Sequence, residues 1–97
     1  MSKVNIYTLQ LESGKYYVGR SYNVPKRLNQ HYNGEGSVWT KKYKPIRLYE
    51  VFLNKTKFDE DKYTLMYMSI FGVENVRGGS FCSVELGGAD KYIIKRM

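Results

Sequence analysis

The chain begins with two strand-forming segments that are joined by a short turn. Residues 5–11 (NIYTLQL) and 16–21 (YYVGRS) are rich in β-branched and aromatic side chains, and the intervening residues 12–15 (ESGK) are typical of a turn. Asn23 then supplies a helix N-cap and Pro25 suits a first helical turn, in a segment that ends at residues 33–34 (NG). The sequence therefore predicts a β-hairpin followed directly by a helix.

The remaining segments predict a small α+β domain. They are a short helix at 38–43, a strand at 46–53, a long helix at 59–71 ending at Gly72, a glycine-rich loop at 76–80 and a short terminal helix within 88–97. The order β-β-α-(α)-β-α indicates a three-stranded antiparallel sheet flanked by helices. A chain of 97 residues has the size of one domain, so residues 1–97 are expected to form a single domain.

The positive charge is concentrated in the first half of the chain. The net charge is +7, and residues 1–47 account for all of it with nine basic residues against two acidic ones. A basic region that is interleaved with tyrosines favours a polyanionic partner, for which nucleic acid is the default candidate. The alternative is that the charge serves solubility alone.

The sequence has too few histidines and cysteines for several kinds of functional site. With one histidine (His31) and one cysteine (Cys82), zinc fingers, zinc proteases, disulfide frameworks and Ser-His-Asp triads are not expected. Because no signal peptide and no run of about 18 apolar residues occurs, we expect an intracellular protein of a reducing compartment that has no membrane contact. Catalysis would have to depend on Tyr, Arg, His and Glu, and on a hard metal bound by carboxylate oxygen.

Two short segments carry a family resemblance. Residues 5–7 (NIY) and 17–19 (YVG) resemble the two halves of the GIY-YIG nuclease signature, with Asn5 in the place of the usual glycine. Arg27 follows Tyr17 by ten residues, and His31 lies one helical turn further on. The stretch at 36–40 (GSVWT) is similar to the structure-specific junction nucleases of this superfamily.

The resemblance extends into the second half of the chain. Glu60 opens the long helix where the family has its metal-binding glutamate, and Asn75 stands where several members keep a supporting asparagine. Over residues 5–76 the chain thus resembles a minimal, single-domain GIY-YIG nuclease.

The resemblance implies a divalent-metal-dependent endonuclease that hydrolyses DNA phosphodiester bonds to 5′-phosphate and 3′-hydroxyl ends. Tyr7 would be the general base with Tyr17 assisting, Arg27 would stabilise the charge on the phosphate, and His31 would bind substrate or move protons. Glu60 would hold one Mg²⁺ or Mn²⁺ in each active site. Residues expected to contact nucleic acid are Arg20, Lys26, Arg27, Trp39, Lys41, Lys42, Asn75 and Arg77.

The expected substrate is DNA, with branched or structured DNA as a candidate, and the expected role is in DNA repair or recombination. A partner protein could supply specificity, because the chain has no separate recognition domain. The alternative function is a catalytically weak or inactive nucleic-acid-binding module that needs a partner domain, and RNA is a third candidate substrate.

The role of Glu60 has a competing explanation. Acidic residues are favoured in the first turn of a helix by the helix dipole, and Asp59 and Asp61 flank Glu60. Helical spacing places Glu60, Tyr63, Tyr67 and Ile70 on one stripe, joined by Met66. We expect this stripe to pack on the sheet and to direct the Glu60 carboxylate towards it.

A shared site requires Tyr7 and Tyr17 to lie on the same face of the hairpin. A two-residue turn at 13–14 (SG) would place the two tyrosines on opposite faces, since a shift of one residue reverses every side chain. A three-residue loop or a bulge brings them together. The sequence therefore predicts an odd loop or a bulge near Gly14.

Overall fold

Four strands and three α-helices make up residues 3–83, the part of the chain that the computed structural model describes. In chain order they are β1 (Val4–Leu11), β2 (Tyr16–Ser21), α1 (Val24–Tyr32), α2 (Val38–Lys42), β3 (Pro45–Lys55), α3 (Asp59–Phe71) and β4 (Val76–Gly78). The terminal helix predicted within 88–97 lies outside the described residues. None of the helices in residues 3–83 has the length and apolar character needed to cross a membrane.

The sheet has the strand order β3-β1-β2-β4. β1 pairs antiparallel with both β2 and β3, while β4 runs parallel to β2. The α+β architecture is confirmed, but the predicted count of three strands is corrected to four. β4 comes from the segment read as a glycine-rich loop, because three residues carry little local strand signal and their pairing with Tyr16–Val18 is a tertiary contact.

The hairpin between β1 and β2 has a three-residue connection. Glu12–Gly14 form a single 3₁₀ turn in which Ser13 and Gly14 have φ values of 61° and 71°. This loop pairs Leu9 with Tyr17 and Tyr7 with Gly19. The prediction of an odd loop is confirmed, and Tyr7 and Tyr17 share one face of the sheet.

Each face of the sheet is covered by helices. On the face that carries Tyr7 and Tyr17, Leu9 and Leu11 pack with Val24 of α1 and Trp39 of α2. On the opposite face, Ile6, Val18 and Val76 pack with Tyr67 and Met68 of α3.

The packed stripe of α3 differs from the predicted one. Met66 and Ile70 are exposed, whereas Thr64, Tyr67 and Met68 are buried. The prediction that Met66 and Ile70 pack on the sheet is therefore wrong. The helix is rotated about its axis so that residues 64, 67 and 68 face the sheet instead. The α3 boundaries agree with the prediction, including the end at Gly72, whose φ is 101°.

Candidate active site

A chain of hydrogen bonds links β1 to α1 and α2. The Tyr7 hydroxyl lies 2.7 Å from Nε2 of His31, and Nδ1 of His31 lies 3.0 Å from Oγ1 of Thr40. The Thr40 hydroxyl donates to the Ser37 carbonyl oxygen at 3.1 Å, so its lone pairs are left to accept from Nδ1–H. The tautomer that fits this network leaves Nε2 as the acceptor of the Tyr7 proton.

Both rings of this hydrogen-bonded pair are buried. Tyr7 and His31 are each 1% exposed. Burial lowers the pKa of His31 to about 4, and the Arg27 charge acts in the same direction. Burial also raises the pKa of Tyr7 well above its ordinary value. At neutral pH the pair therefore consists of a protonated tyrosine and a neutral histidine.

Two glycines leave the space that this network occupies. A Cβ at Gly19 would lie 2.5 Å from both Cζ and the hydroxyl oxygen of Tyr7, and 2.9 Å from Cε2 of Tyr17. A Cβ at Gly36 would collide with Nδ1 of His31 and lie 2.6 Å from Oγ1 of Thr40. Neither glycine has a positive φ, so both are needed for close approach and not for backbone conformation.

Tyr17 and Arg27 complete this side of the site. The Tyr17 ring centroid lies 6.3 Å from that of Tyr7 and 5.1 Å from that of His31. Burial and the Glu60 charge raise the pKa of Tyr17. The Arg27 guanidinium lowers the pKa of both tyrosines and so opposes the effect of burial. Arg27 also donates to Oε1 of Gln30 at 2.7 Å, which holds it on the surface of α1.

Glu60 approaches the same region from α3. Its side chain is 15% exposed, and its carboxylate lies 3.8 Å from Nε of Arg20. Burial raises the pKa of Glu60, while Arg20 acts in the opposite direction. The Glu60 charge also acts to raise the pKa of Tyr7 and Tyr17, although the acid and the two phenols belong to opposite faces of the sheet.

The end of β2 explains how the two faces meet. β4 pairs with β2 at Tyr16, Tyr17 and Val18 and at no later residue within the described chain. Gly19 and Arg20 therefore extend past the end of β4. Side chains from both faces can reach the space at this open edge.

The two aspartates that flank Glu60 have other partners. Asp59 accepts hydrogen bonds from the backbone N–H and the hydroxyl of Thr56, at 2.8 Å and 3.2 Å. Asp61 accepts from the backbone N–H and the hydroxyl of Ser80, at 2.7 Å and 2.8 Å. Of the three adjacent acids, Glu60 alone has no hydrogen-bond donor to its carboxylate within residues 3–83.

A hard divalent cation fits this arrangement. In the described part of the chain no three His, Cys, Asp or Glu side chains cluster as a ready-made metal site. Mg²⁺ is commonly held by one or two carboxylates, with water and substrate phosphate as the other ligands. Glu60 is half-buried and its carboxylate has an ion pair with Arg20 at 3.8 Å but no hydrogen bond within residues 3–83, so it has the chemistry of such a single-carboxylate site.

The residues expected to contact nucleic acid fall into two groups. Arg20, Lys26, Lys41 and Lys42 are exposed, and Arg27 is half-buried at the site. Trp39 and Arg77 do not fit that role, because they are 2% and 0% exposed. The indole N–H of Trp39 donates to the Tyr16 carbonyl, and the Arg77 guanidinium lies 4.5 Å from the Trp39 ring centroid.

Asn75 also has a structural position. Its amide donates to the Phe71 carbonyl at 2.7 Å at the end of α3, and its Oδ1 accepts from Nζ of Lys15 at 2.8 Å. It precedes β4 at the end of β2 that is opposite to Gly19. The structure therefore does not bring Asn75 together with the tyrosines and Glu60.

Sequence reasoning missed Thr40 and Gly36 as parts of the site. The signal lies in residues 36–40 (GSVWT), where Ser37 is a helix N-cap residue that precedes Thr40 by three positions. Ser37 caps α2 by accepting from the Thr40 N–H at 3.2 Å, and this cap positions the Thr40 hydroxyl beside His31.

Comparisons with known proteins identify the family of this sequence. The family model of the GIY-YIG catalytic domain matches residues 3–67. A UPF0213 protein of Staphylococcus saprophyticus is 31% identical over 71 residues, which are 71% of this chain and 87% of that protein. UPF0213 proteins of Bacillus cereus and Bacillus anthracis are 33% identical over 60 residues, 62% of this chain but only 57% of either relative. No solved structure gives a significant match.

Proposed function

Because this chain belongs to the GIY-YIG family, we propose that it is a metal-dependent endonuclease that hydrolyses DNA phosphodiester bonds. Membership of the family assigns nuclease chemistry in general, and the substrate, metal and residue roles are parts of the proposal. The observation that carries it is the hydrogen bond between Tyr7 and a neutral His31, with Arg27 and Glu60 as electrostatic neighbours.

Tyr7 is the general base in this proposal, and His31 accepts the proton that Tyr7 must give up. As the water oxygen bonds to phosphorus, the water proton passes to the Tyr7 oxygen and the Tyr7 proton passes to Nε2 of His31. The bond between phosphorus and the 3′-oxygen breaks, and that oxygen takes a proton from solvent. His31 then returns its proton to solvent, which leaves a 5′-phosphate and a 3′-hydroxyl.

The relay resolves a difficulty for tyrosine as a base. A buried phenol with a raised pKa is almost entirely protonated at neutral pH. A neutral imidazole at 2.7 Å accepts that proton without its release to bulk water. The Nδ1–H bond to Thr40 holds the imidazole in the accepting tautomer.

Arg27 and Glu60 stabilise charge on the phosphate in this proposal. The planar guanidinium of Arg27 offers paired donors to phosphoryl oxygens on which negative charge develops. Glu60 would hold Mg²⁺ or Mn²⁺, whose charge stabilises the phosphoryl and leaving oxygens when it is bound. Arg20 lies 3.8 Å from the Glu60 carboxylate, and its charge opposes the rise in the Glu60 pKa that burial causes.

Single-turnover cleavage of labelled DNA in Mg²⁺ or Mn²⁺ tests the proposal. We expect Tyr7→Phe, Arg27→Ala and Glu60→Gln each to lower the rate by about 100-fold or more. Glu35→Gln and Tyr63→Phe, which change residues outside the site, are the matched controls. If Arg27→Ala and Glu60→Gln cleave as fast as the unaltered protein, the assignment is wrong. Salt-sensitive DNA binding with no cleavage of any substrate would favour the binding module instead.

The pH dependence tests the relay itself. Since the proton moves between Tyr7 and His31 without leaving the protein, the rate should be nearly flat from about pH 6 to about pH 9. In His31→Gln the Tyr7 proton must go to solvent, and the rate should rise about tenfold per pH unit over the same range. Equal slopes in the two proteins would exclude His31 as the acceptor.

The preference for branched DNA and the need for a partner protein stay predictions. Cleavage rates on a linear duplex, a three-way junction and the matching RNA, measured side by side, test the first. Addition of cell extract to the purified protein, with Glu60→Gln as the control for contaminating nucleases, tests the second.

A further inference from the structure

A cavity next to Glu60 has the chemistry of a nucleotide site. It has a volume of about 340 Å³ and is lined by Arg20, Lys57, Phe58, Glu60, Asp61, Gly79 and Ser80. This is near the lower end of the size range of small-molecule sites, so it has room for one nucleotide but not for a duplex. Two of its lining residues are cations and one is an exposed aromatic ring.

The ring of Phe58 is placed differently from those of the other phenylalanines. Phe52 stacks on Tyr63, Phe71 stacks on Tyr16 and Phe81 is buried. Phe58 is 66% exposed and lies immediately before α3. Nζ of Lys57 lies 5.4 Å from its ring centroid, and no other aromatic ring within residues 3–83 packs on it. An exposed ring of this kind can stack on a ligand in the cavity.

The floor of the cavity is fixed. Asp61 accepts two hydrogen bonds from Ser80, which ties α3 to the turn after β4. A Cβ at Gly79 would collide with the Asp61 carboxylate, so this turn fits only with glycine there. The Asp61 carboxylate is therefore hydrogen-bonded within the protein, while Arg20 and Lys57, which also line the cavity, are exposed.

We propose that this cavity is a subsite for the nucleotide that flanks the scissile phosphate. Arg20 and Lys57 bind its phosphate, and its base stacks on Phe58. The inference rests on the proposed nuclease function, since Glu60 lines the cavity and would place it next to the reacting phosphorus. A base can stack on Phe58 only after it has left the duplex stack, so Phe58 is a specificity-determining residue for an unpaired base at this position.

The binding test uses a fluorescently labelled single-stranded DNA oligonucleotide, without divalent metal and in EDTA. Phe58→Ala should weaken binding by about 5- to 100-fold, the range expected for the loss of one base–aromatic stack. Phe58→Tyr should bind as the unaltered protein does, while Phe58→Leu should resemble Phe58→Ala. Ile70→Ala, which removes another exposed apolar side chain of α3, is the matched control and should have no effect.

Lys57 has its own matched control. Lys57→Gln should lower the slope of log affinity against log salt by about 0.7, the value for one phosphate contact to a single strand. Lys62→Gln changes a neighbouring lysine that also lies over an aromatic ring, at 5.9 Å from Tyr63, and should leave the slope unchanged.

The position of the stacked base is read from 2-aminopurine placed at successive positions of the oligonucleotide. Its fluorescence should be quenched at one position next to the cleavage site in the unaltered protein and in Ile70→Ala, but not in Phe58→Ala. Equal quenching in all three proteins, or equal affinity of Phe58→Ala and Ile70→Ala, overturns the subsite.

The subsite and the nuclease function can fail separately. If Tyr7→Phe and Glu60→Gln abolish cleavage but Phe58→Ala binds normally, the subsite is wrong and the nuclease proposal stands. If no substrate is cleaved but Phe58→Ala loses stacking and affinity, the cavity binds a base in a protein that is not a nuclease.

Discussion

Tyr7 depends on the absence of side chains at neighbouring positions. Its ring lies across Gly19 of the paired strand, and its hydrogen-bond partner His31 lies against Gly36. Tyr7, His31 and Thr40 belong to three different elements, so their hydrogen bonds form only where tertiary packing aligns those elements. A single methyl group at either glycine is enough to disturb it.

Gly19→Ala should reduce cleavage by about tenfold or more and lower the free energy of unfolding by about 1–3 kcal/mol. The added methyl lies within 2.5 Å of Tyr7 atoms and must displace the ring from His31. Cleavage assays and urea denaturation measure the two effects, with Asn29→Ala on the exposed side of α1 as the control. Unchanged activity would show that the Tyr7–His31 bond is not needed.

His31 should make the stability of the protein depend on pH. Its pKa is near 6.5 when unfolded and about 4 when folded, so the unfolded state takes up the proton first as the pH falls. Its contribution is fully present above pH 6.5 and is lost as the pH falls towards 4. The two pKa values differ by about 2.5 pH units, so at about 1.4 kcal/mol per unit the loss is about 3 kcal/mol.

Urea denaturation at a series of pH values measures this contribution. Because His31 is the one histidine of the sequence, the difference between the unaltered protein and His31→Gln isolates it from the carboxylates. Identical pH curves for the two proteins would contradict the buried, neutral state of His31.

At the scale of elements, α3 and β4 decide which charged groups remain available. Thr56 and Asp59 form a reciprocally hydrogen-bonded turn immediately before α3: the Asp59 carboxylate accepts from the Thr56 N–H at 2.8 Å, and the Asp59 N–H donates to the Thr56 carbonyl at 3.0 Å. Asp61 holds the turn after β4. Because Asp59 and Asp61 are both hydrogen-bonded within the protein, Glu60 is the acidic residue of α3 whose carboxylate can bind a ligand.

β4 also removes an arginine from the surface. The Arg77 side chain donates to the carbonyl oxygens of Ser83, Val73 and Val76, each at 2.7 Å, and lies over Trp39. Burial lowers the pKa of Arg77, while Glu74 acts in the opposite direction. Such a group stabilises the fold through hydrogen bonds that no other side chain of the same volume can make.

Arg77→Met should therefore lower the free energy of unfolding by about 2–4 kcal/mol, because three backbone carbonyl groups lose the donor that a buried side chain supplies. The salt dependence of DNA binding should not change. Arg47→Met is the matched control: Arg47 is also a strand residue over an aromatic ring, but it is exposed, and its loss should cost less than about 1 kcal/mol. If Arg77→Met changes the slope of log affinity against log salt without lowering stability, Arg77 contacts nucleic acid after all.

At the scale of the whole molecule, the sheet separates two halves of the site. The tyrosines, Arg27 and His31 belong to the face covered by α1 and α2, and Glu60 belongs to the face covered by α3. They share the open edge of β2 beyond the end of β4. A phosphate at this edge would meet the proton acceptors from one side and the carboxylate from the other.

The basic first half should contribute to binding through α2 as well as through the site. Lys41 and Lys44 line a second cavity of about 270 Å³ together with His31 and Thr40. The double variant Lys41→Gln/Lys42→Gln should reduce the slope of log affinity against log salt by about 2 on duplex DNA. Titrations at several salt concentrations measure the slope. If the double variant changes the slope no more than Lys62→Gln does, Lys41 and Lys42 do not contact phosphate.

The sequence by itself determined the hairpin, both long helices and the positions of Tyr7, Tyr17, Arg27, His31 and Glu60 along the chain. These features depend on local chemistry: strand-forming residues, turn and cap residues, and short fixed spacings. The prediction of an odd loop or a bulge near Gly14 followed from the requirement, implied by the family resemblance, that the two tyrosines share a face, and the structure has the three-residue loop.

Only the tertiary structure decided which groups are free to act. The pairing of β4 with β2, the burial of Trp39 and Arg77, and the partners of Asp59 and Asp61 all depend on how the backbone and side chains pack. The space that Gly19 and Gly36 leave for Tyr7 and His31 also depends on this packing. The physical reason is that local interactions select the elements, whereas contacts between residues far apart in the chain fix their rotation and decide which side chains reach solvent.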